Sequence, residues 1–78
     1  MQIDIITPDK ELFSGNGSSV IVPGIDGSLG ILENHAPLIT ALKKGQVKII
    51  DAQGSEKHFD INGGVAEVIK NKVIILAE

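Results

Sequence analysis

Cysteine, tryptophan, tyrosine and arginine are all missing from this chain. Without thiols there is neither a disulfide framework nor a thiolate metal site to staple a small fold, which argues against a secreted scaffold. The basic side chains are seven lysines. No guanidinium fork can grip a phosphate in bidentate fashion, and no basic run marks a nucleic-acid footprint. The stacking platforms that hold single strands are missing too, since Phe13 and Phe59 are the only aromatics. Nucleic-acid binding is therefore not expected. Apolar runs such as Val73–Ala77 are far too short to span a bilayer as a helix. The first residues, Met1-Gln-Ile-Asp-Ile5, have neither the basic n-region nor the apolar h-region of a signal peptide. Any membrane association is expected to come through a partner.

What remains is aliphatic, β-branched and mildly acidic, with a net charge of −3 over 78 residues. Such a length allows one domain, and one that buries only roughly 60% of the surface its unfolded chain exposes. Marginal stability follows unless a partner contributes. The isoleucine-rich composition favours strands.

Along the chain, Gln2–Thr7 alternates, with Ile3 and Ile5 facing one way and Gln2, Asp4 and Ile6 the other. A second strand is expected over Glu11–Ser14, ending at Gly15. Asn16-Gly17 then reads as a type I′ hairpin turn, because both central positions of that turn need positive φ. A third strand follows over Ser18–Val22, its Val20-Ile-Val run suggesting burial on both faces. Pro23-Gly24 and Asp26-Gly27 are two further turn signals, and Gly27 to Leu38 reads as a glycine-framed loop. Asn34–Gly45 admits two readings. Asn34 could cap a helix that Gly45 ends, yet Leu38, Thr40 and Leu42 also alternate as in a strand. Gly45–Asp51 and Lys57–Ile61 form a hairpin around Ala52-Gln-Gly-Ser, with Val47, Ile49, Phe59 and Ile61 inward and Lys48, His58 and Asp60 outward. Gly63-Gly64 suggests a bulge or sharp bend. Val65–Ile69 and Val73–Ala77 make a last hairpin about Lys70-Asn71-Lys72. The expected fold class is all-β: a flattened sandwich or barrel of about eight to ten short, mostly antiparallel strands.

Chemistry is hard to find. His35 stands two residues from Glu33, so a general acid–base pair is one reading; a loop-ordering histidine is the plainer one. No nucleophile sits in a recognisable elbow, His58 alternates out to solvent, and the two histidines show no metal-ligand spacing. Gly24, Gly27 and Gly30 lack the following helix and the lysine of a phosphate loop. Lys70 and Lys72 at a hairpin tip invite comparison with biotinyl or lipoyl carrier domains, but the Met-Lys-Met or Asp-Lys-Ala triplet of those domains is absent. No cofactor is expected.

One ordered set of segments is specific. Asp4-Ile-Ile-Thr-Pro8, Leu12-Phe-Ser-Gly15, the long stretch Val20–Gly45 containing Gly-Ser-Leu-Gly-Ile-Leu-Glu-Asn-His-Ala-Pro-Leu, Asn62–Val68 and Val73–Glu78 together resemble the N-terminal β-sandwich of the epsilon subunit of rotary (F-type) ATP synthases. The resemblance runs the length of the chain. It implies a single domain over residues 1–78, without the C-terminal two-helix domain, and it implies a strand at Leu38–Leu42. It also implies a non-catalytic part of the central rotor stalk, holding the gamma subunit and resting on the membrane c-ring. That would be a peripheral position on the cytoplasmic face of a bacterial plasma membrane. By the same resemblance, Asp26, Gly27, Ser28 and Leu29 would meet the c-ring, with Ser28 in place of an acidic residue often found there. Thr7, His35 and Thr40 would face gamma, with Ala36, Pro37 and Leu38 supporting that surface. Ile31 and Leu32 would belong to the core. Gly30, Gly45, Gly63 and Gly64 would be structural turns or bends.

Overall fold

The computed structural model describes residues 1–78. Eight strands follow one another without a helix: β1 (Gln2–Ile6), β2 (Glu11–Gly24), β3 (Gly27–Leu32), β4 (Leu38–Leu42), β5 (Gly45–Asp51), β6 (Glu56–Ile61), β7 (Gly64–Ile69) and β8 (Lys72–Ala77). The all-β expectation holds, and the segment open between helix and strand is β4, in register with β7 from Leu38 opposite Val68 to Leu42 opposite Gly64.

β2 organises the rest. Extended straight, its fourteen residues would measure roughly 46 Å at about 3.3 Å per residue, whereas the longest dimension of the domain is 26 Å. The strand has to bend. Its first half pairs with β1, and from Gly17 onward it pairs with β5, with a slip of register between Gly17 and Ser19. Beyond the slip β3 lies along the side of β2 opposite β5, from Ser19 to Gly24. The hairpin expected at Asn16-Gly17 does not form, and neither residue has positive φ. Long-range partners outbid the local turn. The Gly17 amide donates to the Met1 carbonyl at 2.9 Å, and the Asn16 carbonyl accepts from the Ala52 amide at 3.1 Å. Glycine is needed at 17 for closeness instead: a Cβ there would stand 2.6 Å from Ile3 Cδ1 and 2.7 Å from the Ile50 carbonyl oxygen.

Two layers result. One holds β1, β8, β7 and β4, the other β3, β2, β5 and β6, and the bent β2 belongs to the seam. All pairings are antiparallel except β1 with β8, the first and last strands, which run parallel. Between the layers lie fifteen buried apolar residues, and no polar or charged residue is buried. The ten largest fully buried side chains are all isoleucine or valine, whose stiff χ1 suits a pleated surface. Phe13 and Phe59 close one side, their ring centroids 5.9 Å apart.

Four expectations change here. Ile21 is 38% exposed and Leu32 is 64% exposed, so the Val20–Val22 run is buried on one face only and Leu32 lies outside the core, whereas Ile31 is fully buried. Pro23-Gly24 lies within β2, leaving Ile25-Asp26 as the turn. Gly27–Leu32, read as a loop, is strand β3. The turns at the far end agree better: Lys70 and Asn71 have φ of 50° and 59°, as a type I′ turn demands. Gly64 combines φ of 139° with a backbone packed against the Leu76 carbonyl.

The bend yields a direct test. Gly17→Ala should destabilise the domain by about 1–3 kcal/mol through overpacking, read as a lower urea midpoint. Asn16→Ala, at an exposed ladder position, should stay within about 0.5 kcal/mol of the parent; a larger loss would restore the hairpin reading.

Candidate functional site

Strand directions sort the loops into two ends. At one end lie the Ile25-Asp26 tip, Lys43-Lys44, Asn62-Gly63 and Glu78, joined by backbone bonds such as Ile25 amide to Ala41 carbonyl (3.0 Å), Lys43 amide to Pro23 carbonyl (2.9 Å) and Glu78 amide to Gly63 carbonyl (3.0 Å). At the other lie the Glu33–Pro37 loop, the Lys70-Asn71 turn and Met1. β3 runs between the two ends. Asp26 to Ser28 and His35 to Pro37 are therefore far apart although close in sequence.

The Glu33–Pro37 loop is tied down by polar contacts. The Glu33 carboxylate pairs with the Met1 amine and accepts a hydrogen bond from Asn71 Nδ2 at 2.9 Å. Asn71 Oδ1 accepts from the Asn34 amide at 2.8 Å, and Asn34 takes a positive φ of 61°. His35 turns away from Glu33: its Nδ1 lies 2.8 Å from the Ala36 carbonyl oxygen. The Glu33–His35 acid–base pair is not formed, because Glu33 is committed to Met1 and Asn71. The carrier comparison gains nothing either, as Asn71 is held in this clamp and Lys72 Nζ lies 3.8 Å from Asp4 Oδ2. No group of three or more His, Asp or Glu could hold a metal ion.

The two outer faces differ in chemistry. On the β5–β6 side, Lys48 and Glu56 pair at 3.5 Å, and His58 lies between Gln46 Oε1 (2.9 Å) and Glu56 Oε2 (2.6 Å). Gln46 Nε2 also donates to Asp60 at 3.2 Å. This face is polar and internally satisfied. On the β1–β8–β7–β4 side, one cross-strand row reads Ile6, Leu76, Val65, Ala41 and the next Asp4, Ile74, Glu67, Ile39. Ile39 is 71% exposed and Leu76 54% exposed. Two shallow grooves mark this face, one beside Ile6 to Pro8, Val65 and Leu76, the other beside Pro37 to Ile39 and Ile69.

Against this geometry the residues expected from sequence separate. Asp26, Gly27 and Ser28 are exposed at the tip, with Gly27 at φ of 130°, and Leu29 turns inward against the core. Ala36 and Pro37 are exposed in the tied loop, and His35 is half-buried there. Thr7 follows Ile6 at the opposite corner of the same face, its hydroxyl bonded to the Lys10 carbonyl at 3.0 Å. Leu38 and Thr40 share the inward parity of Leu42, opposite Val68 and Ala66, so Ile39 and Ala41 present the outer surface of β4. Gly45 packs against Pro23. Sequence reasoning overlooked Ile6, Ile39, Val65, Ile69 and Leu76 as a surface. The signal was present: unbroken apolar runs such as Val73–Ala77 imply either burial on both faces or an uncovered apolar face.

The body thus carries a polar, internally paired surface over β5 and β6 and a largely apolar one over β1, β8, β7 and β4. The full chain, residues 1–78, matches the family described as ATP synthase, Delta/Epsilon chain, beta-sandwich domain. It is 49% identical over 77 residues to the ATP synthase epsilon chain of Chlorobium limicola, covering 99% of this chain and 88% of that one. To the epsilon chain of Dichelobacter nodosus it is 44% identical, covering 99% of this chain and 54% of the relative. Among solved structures it resembles a chain of the Tetrahymena thermophila mitochondrial ATP synthase central stalk and c-ring, with a TM-score of 0.80 and 25% identity over 99% of this chain and 62% of that chain. A chain of the Euglena gracilis mitochondrial enzyme gives a TM-score of 0.86 at 19% identity, over 96% of this chain and 48% of that one, which bears on the fold alone. The chain belongs to the ATP synthase delta/epsilon family. Epsilon chains are structural subunits of that complex and are not catalytic by themselves.

The clamp has a testable pH signature. The Glu33 carboxyl is held below its ordinary value of 4.5, chiefly by the hydrogen bond from the Met1 amine and then by that from Asn71. A carboxylate whose folded pKa is depressed stabilises the fold above its unfolded pKa and loses that contribution as pH falls through the folded value. Glu33→Gln should therefore melt below the parent at pH 7, and the gap should narrow steadily as the pH is stepped below 4.5. A gap that stays constant in thermal melts would assign the loss to packing.

Proposed function

We propose that this domain is a non-catalytic rotor part of the F-type ATP synthase, joining the gamma subunit to the c-ring and so coupling ion translocation to ATP synthesis. In that position it is peripheral to the membrane, on the cytoplasmic face of a bacterial plasma membrane, and held there by its partners. The observation that carries the reading is the apolar outer face of β1, β8, β7 and β4 in a chain of this family. An uncovered, largely apolar sheet face, set against the internally paired polar surface of β5 and β6, marks the side that a partner covers.

Gamma is assigned to that face. Its two diagonal corners are Thr7, beside Ile6, and the His35–Leu38 loop, beside Ile39. The residues that the family resemblance assigns to gamma thus border one surface, with Thr40 supporting it from the inner side of β4. The c-ring is assigned to the far tip, where Asp26 is exposed and carries the charge available for basic loop residues. Because the two contacts lie at different places on one rigid body, torque taken at the ring can pass to gamma without a hinge between them.

Mixing with gamma should raise the melting temperature, since a ligand that binds only the folded form stabilises it. Ile39→Asp, at a position already in water, should leave the isolated fold within a few degrees of the parent. It should weaken gamma binding at least tenfold in a calorimetric titration. Asp26→Lys should leave gamma binding intact and reduce retention on the c-ring in reconstituted membranes, lowering ATP-driven ion pumping more than ATP hydrolysis. Unaltered binding and pumping by both variants would place the contacts elsewhere.

A further inference from the structure

Two strands, β3 and β6, have one side wholly free of ladder partners, and they are treated differently. β6 carries Glu56, Lys57, His58 and Asp60 along its length, the charged dressing that keeps an edge from pairing. β3, Gly27-Ser-Leu-Gly-Ile-Leu32, carries no charge, no proline and no bulge. The outward backbone groups can be identified. Pro23 stands opposite Ser28, has no N–H, and gives its carbonyl to the Lys43 amide, so this pair is not bonded across the ladder. Bonds to β2 therefore fall at Gly27, Leu29 and Ile31, and the amides of Ser28, Gly30 and Leu32 point away from it. The Leu32 carbonyl accepts from the His35 amide at 3.2 Å, which leaves its N–H open.

Gly30 is the second observation. Its φ lies outside the left-handed region, and a Cβ built on it meets nothing within 4 Å. Neither conformation nor packing inside the domain requires glycine there, and glycine in a strand costs stability. The missing side chain leaves a gap on the outer face beside the edge, where a neighbouring chain can approach closely. On the outer face Gly30 is flanked by the exposed Ile21 and Leu32, which would bracket an apolar side chain lying over the gap.

We propose that β3 is a strand-addition edge, and that an extended segment of gamma with alternating apolar residues pairs with its half away from the tip, through Gly30 and Leu32. This rests on the gamma assignment above. β3 runs directly into the Glu33–Leu38 loop that borders the proposed gamma face, so face and edge form one continuous contact.

Residue-resolved amide exchange on the complex with gamma tests it. Gly30 and Leu32 should exchange at least tenfold more slowly than in the free domain, with far smaller changes at Leu29 and Ile31, which already bond to β2. Gly30→Pro removes one outward donor and no internal bond, so its melting temperature should stay within a few degrees and its affinity for gamma should drop about tenfold. If gamma binds while those two amides exchange at their free rate, strand addition is overturned and the gamma assignment stands. If gamma does not bind, both fail. If the same amides become protected in the isolated domain as its concentration rises, the occupant is a second copy of this chain and the assignment to gamma is overturned.

Discussion

The whole domain depends on one strand fitting into a body too short for it. β2 can be fourteen residues long in a molecule 26 Å across only because the backbone at Gly17 can lie against Ile3 and the Ile50 carbonyl without a side chain between. From that point β2 takes different neighbours, β1 before and β3 with β5 after. One strand thereby supplies both layers and fixes their separation. An aliphatic core of stiff isoleucine and valine then fills the space at constant thickness, with no aromatic large enough to prop it open in the middle. A domain without cysteines holds its shape by this seam.

The same seam explains why the surfaces are where they are. Once the layers are fixed, β3 has to run from the Asp26 tip to the Glu33 loop, and the Met1–Glu33–Asn71–Asn34 contacts anchor the far end of that path. What the sequence offered as a reactive Glu–His pair is a mooring for a loop. The apolar face of β1, β8, β7 and β4 is set by the same register, since the parity that sends Ile3, Ile5, Val73 and Ile75 inward sends Ile6, Ile74 and Leu76 outward.

Much of this was legible residue by residue. Ile3 and Ile5 alternated as a half-buried strand should, and Lys70-Asn71 carried its turn chemistry into the fold. Val47 and Ile49 turned inward in a hairpin that only local spacing was needed to find. The failures have a common physical cause. Asn16-Gly17 is a strong local turn signal, but its backbone groups were claimed by Met1 and Ala52, partners that no local window contains. Pro23-Gly24 sits in a strand because the face of Pro23 that lacks a donor meets no ladder bond. Leu32 and Ile21 are apolar and exposed because they point from the outer face of their layer, which no other element covers, a fact that depends on topology. The contact residues were accessible only through resemblance, since an apolar surface and an apolar core use the same side chains.

The parallel pairing of β1 with β8 has a consequence for how the domain comes into being. β1 and β7 each require β8 as a neighbour, and Val73, Ile75 and Ala77 fill space that no earlier residue can take. A nascent chain carrying the first seven strands therefore has its opening strand and its penultimate one both unpaired on one side, with Ile3, Ile5, Ala66 and Val68 without their cross-strand contacts. Closure awaits β8, the last strand of the domain to be made, and depends on long-range pairings of the kind that slow folding. Until that segment arrives, the emerging polypeptide displays unprotected β edges to everything around it.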